Sequence, residues 1–192
     1  MKTIFEQMDS YYPLSEACKK DLATSFIKRN ISKGDFLLKA GEIPKEYYFV
    51  NKGLFSYYYL AENGDMVIKI FFAENSFVAS TSALIQQQPS LFSIYALEDS
   101  EVIQFSASEF RRLLEVHHDL ALYHIRYIEK NWIVAKENSE ITLKYETAKK
   151  RYLQFQQDYH TIEHRLKQHH IASFLGITPT QLSRIRKDLD LS

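Results

Sequence analysis

The run Gln168-His-His-Ile-Ala-Ser-Phe-Leu-Gly-Ile-Thr-Pro-Thr-Gln-Leu-Ser-Arg-Ile-Arg-Lys187 concentrates side chains whose types and spacing suit recognition chemistry. Arg184 offers a planar fork of donors that can bridge O6 and N7 of guanine. Gln181 pairs a donor with an acceptor, as adenine requires. Thr180 and Ser183 bring short hydroxyls that reach bases or phosphates. Lys187, with Arg165 and Lys167 just upstream, is placed to hold phosphate oxygens. That chemistry needs a rigid helix to carry it. Thr178 is a natural N-cap and Pro179 suits the first helical position, so a helix is predicted over 179–189. Its outer side would carry Thr180, Gln181, Ser183, Arg184, Arg186 and Lys187. Gly176 supplies the turn before it, and Ala172 is small enough for two helices to cross closely. Ile171, Leu175, Ile177, Leu182 and Ile185 form the shared apolar wedge. The spacing describes a helix-turn-helix; the alternative is a plain helical hairpin with solvated cations.

Charge is distributed accordingly. The chain is neutral overall, but residues 143–192 hold nine Lys and Arg against five Asp and Glu, so the surplus of four is matched by a deficit of four in residues 1–142. A basic end on an acidic body is the electrostatic footprint of a module that meets nucleic acid.

The elements upstream differ in texture. Residues 14–27 show helical spacing with Ser15 as N-cap. From about 27 to 105, short apolar runs at Phe36, Tyr47, Leu54, Met66 and Ser93 are broken by turn signals. These are Lys33-Gly34-Asp35, Gly41-Glu42, Asn51-Lys52-Gly53 and Glu62-Asn63-Gly64-Asp65. Strands at roughly ten-residue spacing predict an antiparallel jelly roll. Ser106 or Ser108 then caps a helix beginning at Glu109, and a long helix is predicted over 119–137. Ala121, Ile125, Ile128, Trp132 and Ala135 keep coiled-coil spacing along it. Leu120, Tyr123, Tyr127 and Val134 form a second strip. One strip can dock on the chain's own strands while the other meets a partner helix, which favours a homodimer. Glu137-Asn138-Ser139-Glu140 reads as a polar hinge, and Ile141–Tyr159 as a further helix. The fold class is therefore α+β, with residues 1–137 as a β-roll domain carrying the long helix and 138–192 as a helical domain.

Several functions are disfavoured. Cys18 is the sole cysteine, which rules out an intramolecular disulfide and the thiolate set of an iron–sulfur cluster; it reads as a small buried hydrophobe. The first histidine is His117, so the strands carry no haem or cupin-type metal ligand. His117-His118 and His169-His170 lack a Cys or acidic partner at ligand spacing and read as surface histidines, with a phosphate-facing role open to the second pair. No nucleophile–base constellation supports an enzyme, and no cofactor or metal is expected. The chain shows no membrane span or signal-peptide core and reads as cytoplasmic.

The order β-roll, long helix, hinge, helix-turn-helix resembles the superfamily of the cyclic-AMP receptor and the fumarate–nitrate regulator (Crp/Fnr). The likeness covers nearly the whole chain. It is carried by Lys33-Gly34-Asp35, Ala40-Gly41-Glu42, Val50-Asn-Lys-Gly53, Asn63-Gly64, Phe71-Phe72 leading to Phe77, and Ser106-Ala-Ser-Glu-Phe110. The resemblance implies a bacterial transcription regulator that binds double-stranded DNA as a homodimer. RNA polymerase would be a further partner, and an effector would sit in the β-roll. Arg184 falls on the family's base-reading arginine, with Pro179 and Thr180 beside it.

The resemblance is incomplete at the effector site. Where relatives that bind cyclic nucleotides carry Gly-Glu and Arg-Ser/Thr pairs, this chain has Ala79-Ser80 and Ser90-Leu91. No Lys or Arg occurs between Lys69 and Arg111. A buried cyclic phosphate would lose a charge-assisted bond of roughly 1.5–3 kcal/mol. Cyclic AMP and cyclic GMP are thus not the expected effectors. Phe77, Ala79, Ser80, Leu84, Ser90, Leu91, Phe92 and Tyr95 either line a pocket for an uncharged ligand or form a filled core. The sequence ends at Ser192, where many relatives continue into a β-hairpin wing, so phosphate contacts are expected from helix N-termini and lysines. The competing reading is a ligand-binding or protein-interaction module with a vestigial helix-turn-helix.

Overall fold

The computed structural model describes residues 3–134 and 146–190. Two short helices open the chain, α1 (Ile4–Asp9) and α2 (Glu16–Ala23), capped by the hydroxyls of Thr3 and Ser15. Eight strands follow: β1 (Ile27–Ile31), β2 (Phe36–Leu38), β3 (Glu46–Lys52), β4 (Phe55–Leu60), β5 (Met66–Phe72), β6 (Phe77–Val78), β7 (Phe92–Ala96) and β8 (Ser100–Ser106), with α3 (Thr81–Gln86) between β6 and β7. They form two four-stranded antiparallel sheets, ordered β1-β8-β3-β6 and β2-β7-β4-β5. Phe49 lies opposite Ile103 in one sheet, and Tyr57 opposite Ile94 in the other.

The predicted jelly roll is present. Periodicity missed β1, whose side chains are mostly exposed and polar (Lys28, Arg29, Asn30); it is an edge strand held by pairing with β8. The inner faces are rich in aromatics. Val50, Phe55, Tyr57, Ile94 and Val102 close the space between the sheets, burying apolar area at roughly 25 cal/mol per Å².

Ser106, not Ser108, caps the helix after β8, and α4 (Ala107–Val116) starts two residues earlier than expected. His117 interrupts the helical course with extended backbone (φ −112°, ψ 108°) before α5 (His118–Ile128), which continues as a π-helical segment over Glu129–Val134. Leu120, Tyr123 and Tyr127 pack onto the roll beside Phe77, Phe105 and Tyr11. Val134, expected on this docked strip, is exposed instead. Ala135, the hinge at 137–140 and the 137/138 domain boundary lie outside the described residues.

After that boundary come α6 (Ala148–Asp158), capped by Thr147, a 3₁₀ turn (Glu163–Arg165), α7 (Gln168–Leu175) and α8 (Pro179–Asp190). The helix predicted over 141–159 is described only from Ala148. These helices pack directly against the roll. Phe155, Tyr159 and Phe174 surround Phe71 of β5 at ring separations of 5.6–6.4 Å. One apolar cluster runs from Leu54 and Ile68 to Ile171 and Leu182.

Candidate nucleic-acid interface

The geometry of the last two helices follows from local chemistry. Gly176 ends α7 in the left-handed region (φ +66°) and donates its N–H to carbonyls of that helix; Ile177 N–H donates to Ala172 O at 3.0 Å, closing the turn. Thr178 then caps α8: its hydroxyl accepts from Gln181 N (3.2 Å), while Gln181 Oε1 accepts from Thr178 N (2.9 Å). This reciprocal pair satisfies two orphan backbone donors. Ile171, Ala172, Leu175 and Leu182 are buried, so the expected wedge forms, with Ile177 and Ile185 packed beside it.

Opposite Leu182, α8 turns Thr180, Gln181, Ser183, Arg184 and Lys187 to solvent, with Thr178 and Pro179 at its exposed start. Lys167 and His169 lie exposed near the start of α7. Three sequence expectations need correction. Arg186 does not join the outer row; its guanidinium donates to Tyr152 Oη (2.9 Å) and Glu163 Oε1 (3.1 Å), tying α8 to α6 and the 3₁₀ turn. Arg165 does not reach outward for phosphate. It donates to both oxygens of Glu74 (2.9 and 3.0 Å) and both of Glu98 (3.1 and 2.6 Å), carboxylates of the β-roll. Those bonds hold its own charge firmly protonated, and they hold Glu74 below the ordinary carboxylate value against burial that pushes it up. Gln181 has its carbonyl oxygen committed to the cap, so two-point adenine pairing would break that cap.

The histidine pairs divide. His169 is exposed, but His170 is half-buried, its Nδ1 without a hydrogen-bond partner, and burial with His169 and Lys167 nearby lowers its pKa to about 4. His118 is a surface residue, whereas His117 is not: its Nε2 sits 2.9 Å from Asp21 Oδ2.

The second exposed feature is apolar. Ile125 (51 % exposed) and Trp132 (42 %) stand out from α5 and its π-helical extension, with Ala121 and Ile128 of the same strip partly covered. These are four of the five residues of the predicted partner strip.

The expected effector residues do not converge. Ser80 Oγ lies 3.0 Å from Tyr57 Oη and 2.9 Å from Ser90 Oγ, which donates to Phe92 O (2.8 Å), so these buried hydroxyls satisfy one another. Tyr57 stacks on Phe92 at 4.6 Å. Phe77 belongs to the cluster under α5, Tyr95 packs against Phe36, and Leu91 is exposed. Leu84 is buried on α3. A cavity of about 220 Å³ lies nearby between the β2–β3 connection and Ala79-Ser80, lined also by Tyr48, Ile94 and Glu46. Of the expected pocket only Ala79 and Ser80 reach it.

Residues 28–117 match the family described as cyclic nucleotide-binding domain. The fold of the whole chain is shared with solved regulators of low sequence identity. Among solved structures, FixK2 from Bradyrhizobium japonicum is 18 % identical with a TM-score of 0.72, over 86 % of this chain and 85 % of that one. CLP, a c-di-GMP responsive global regulator from Xanthomonas campestris, is 12 % identical at 0.70, over 92 % of each. A CooA mutant from Carboxydothermus hydrogenoformans is 16 % identical at 0.71, over 98 % and 84 %. No curated protein sequence matches the chain. In the region that matches this family, the sandwich's hydroxyls and aromatics close on themselves. Among the described residues no helix is long and apolar enough to cross a membrane.

Proposed function

We propose that the chain is a DNA-binding transcription regulator of the cyclic-AMP-receptor type, in which α7 and α8 form a helix-turn-helix and α5 forms the homodimer seam. The observation that carries this reading is the solvent-facing row Thr180, Gln181, Ser183, Arg184 and Lys187, opposite the buried Leu182. A row of that composition on a capped, rigid helix suits the major groove, with Arg184 on guanine and Lys187, Lys167 and the N-terminus of α8 toward phosphates. The regulator role draws support from the fold shared with FixK2 and CLP. RNA polymerase as a partner rests on that likeness alone.

The effector side of the reading is that cyclic AMP and cyclic GMP do not act on this roll. The serines at the phosphate-binding places are engaged with Tyr57 and each other. The neighbouring 220 Å³ cavity is smaller than the roughly 300 Å³ at which ordinary ligand sites begin. A small uncharged molecule, or none, fits better.

Selection of bound sites from random duplexes tests the proposal. The expected product is a two-fold-related motif with half-sites about one helical turn apart. Arg184→Ala is expected to cost about 1–3 kcal/mol and relax one base position; Lys187→Ala should weaken all sequences alike and lower the salt slope by about one. Absence of any salt-dependent duplex binding would overturn the reading in favour of a protein-interaction module.

A further inference from the structure

At the root of α5 three elements meet around a mixed donor set. Cys18 comes from α2, His117 from the break between α4 and α5, and Asp119 from the first turn of α5. Their ligand atoms all lie within 4.8 Å of one another. We propose that Cys18, His117 and Asp119 form a binding site for a thiophilic divalent cation of the zinc class. This inference is independent of DNA binding.

The site is pre-arranged rather than incidental. Asp119 is anchored, its Oδ2 accepting from Ser15 N (2.6 Å) and its Oδ1 from Leu120 N (3.0 Å), with the Ser15 hydroxyl also bonded to the carboxylate. Asp21, 2.9 Å from His117 Nε2, orients the ring in the way a carboxylate holds a metal-bound histidine. The non-helical backbone at His117 is what lets its ring turn toward α2. Zinc–ligand bonds of 2.0–2.3 Å put tetrahedral donors roughly 3.3–3.8 Å apart, so closure asks for approaches of up to about 1.5 Å.

The electrostatics favour a cation too. The carboxylates of Asp119, Asp21 and Asp9 lie around the Cys18 sulfur. The nearby cations are already engaged, Lys19 with Asp9 and Glu16, and Arg112 with Glu109. A divalent ion would replace the thiol proton, releasing it to solvent as the sulfur–metal bond forms, and would neutralise the carboxylate beside it. The result would pin the N-terminal helices to the base of the candidate dimer helix.

Titration of metal-free full-length protein with Co²⁺, read by its thiolate-to-cobalt charge-transfer absorption, tests this. Cys18 is the sole cysteine, so the band reports this site and no other. The expected result is one Co²⁺ per chain with that band, displaced by Zn²⁺, with about one proton released. His117→Gln and Asp119→Asn should each weaken binding at least tenfold, and Cys18→Ser should abolish the band. Should Cys18→Ser fail to fold, the two other variants decide, since neither removes a fully buried side chain. No thiolate band in the native protein, or a band of undiminished affinity in both His117→Gln and Asp119→Asn, would overturn the proposal.

Discussion

Arg184 and Arg186 stand two residues apart on α8 and face opposite environments, one solvent, the other Tyr152 and Glu163. At 100° per residue, a two-residue step carries a side chain to the far side of a helix, and composition alone cannot say which of two arginines faces inward. His170 makes a similar point with a pH consequence. Its folded pKa of about 4 lies below the ordinary 6.5, so the unfolded chain takes the proton first. Stability is expected to be level above about pH 6.5 and to fall as pH drops toward 4. Urea titrations across that range should show the slope, and His170→Phe should flatten it. Gly53 is constrained by both backbone and space: φ is +111°, and an added Cβ would lie 2.0 Å from Ser100 Oγ and 2.8 Å from its Cα. Gly53→Ala is expected to destabilise the roll by at least about 2 kcal/mol, measured by denaturant unfolding.

At the scale of elements, α5 shows how one helix divides its faces. Leu120 and Tyr123 are sealed against the roll, while Ile125 and Trp132 remain open to solvent. Exposed aromatics and β-branched residues in line on one helix suit a partner helix of the same kind. If α5 forms the proposed dimer seam, Ile125→Glu combined with Trp132→Glu is expected to convert dimers to monomers in sedimentation velocity. The far-ultraviolet circular dichroism of the fold should stay unchanged, because neither side chain belongs to the buried clusters. A dimer that survived both changes would move the seam elsewhere.

At the scale of the molecule, the helical module is clasped to the roll. Arg165 spans Glu74 and Glu98, Ser173 exchanges hydrogen bonds with Met66 O and Ile68 N, and Phe71 sits among Phe155, Tyr159 and Phe174. These ion pairs are mostly but not fully shielded, so removing Arg165 is expected to cost about 1–3 kcal/mol. Arg165→Ala should split thermal unfolding into separate transitions for roll and helices, seen by calorimetry; one unchanged transition would show that the aromatic contact suffices. Because Glu74 titrates below the ordinary 4.5 when folded, its contribution is complete above that pH. It is lost as pH falls through the lower folded value. A clasp of this kind fixes how α7 and α8 sit against the roll.

The amino-acid sequence alone determined the elements governed by local rules. Turn glycines and alternating runs marked β2–β5 and β7, the Thr178-Pro179 start and Gly176 stop bounded α7 and α8, and the missing cations between Lys69 and Arg111 disfavoured a cyclic phosphate. Each depends on neighbours a few residues away, where backbone geometry and side-chain type act directly. Tertiary structure alone decided the partners of Arg165, Arg186 and His117, the closing of Tyr57 with Ser80 and Ser90, and the meeting of Cys18 with Asp119. Those pairings join residues from 10 to more than 100 positions apart. Chain folding sets such distances, and no periodicity records them.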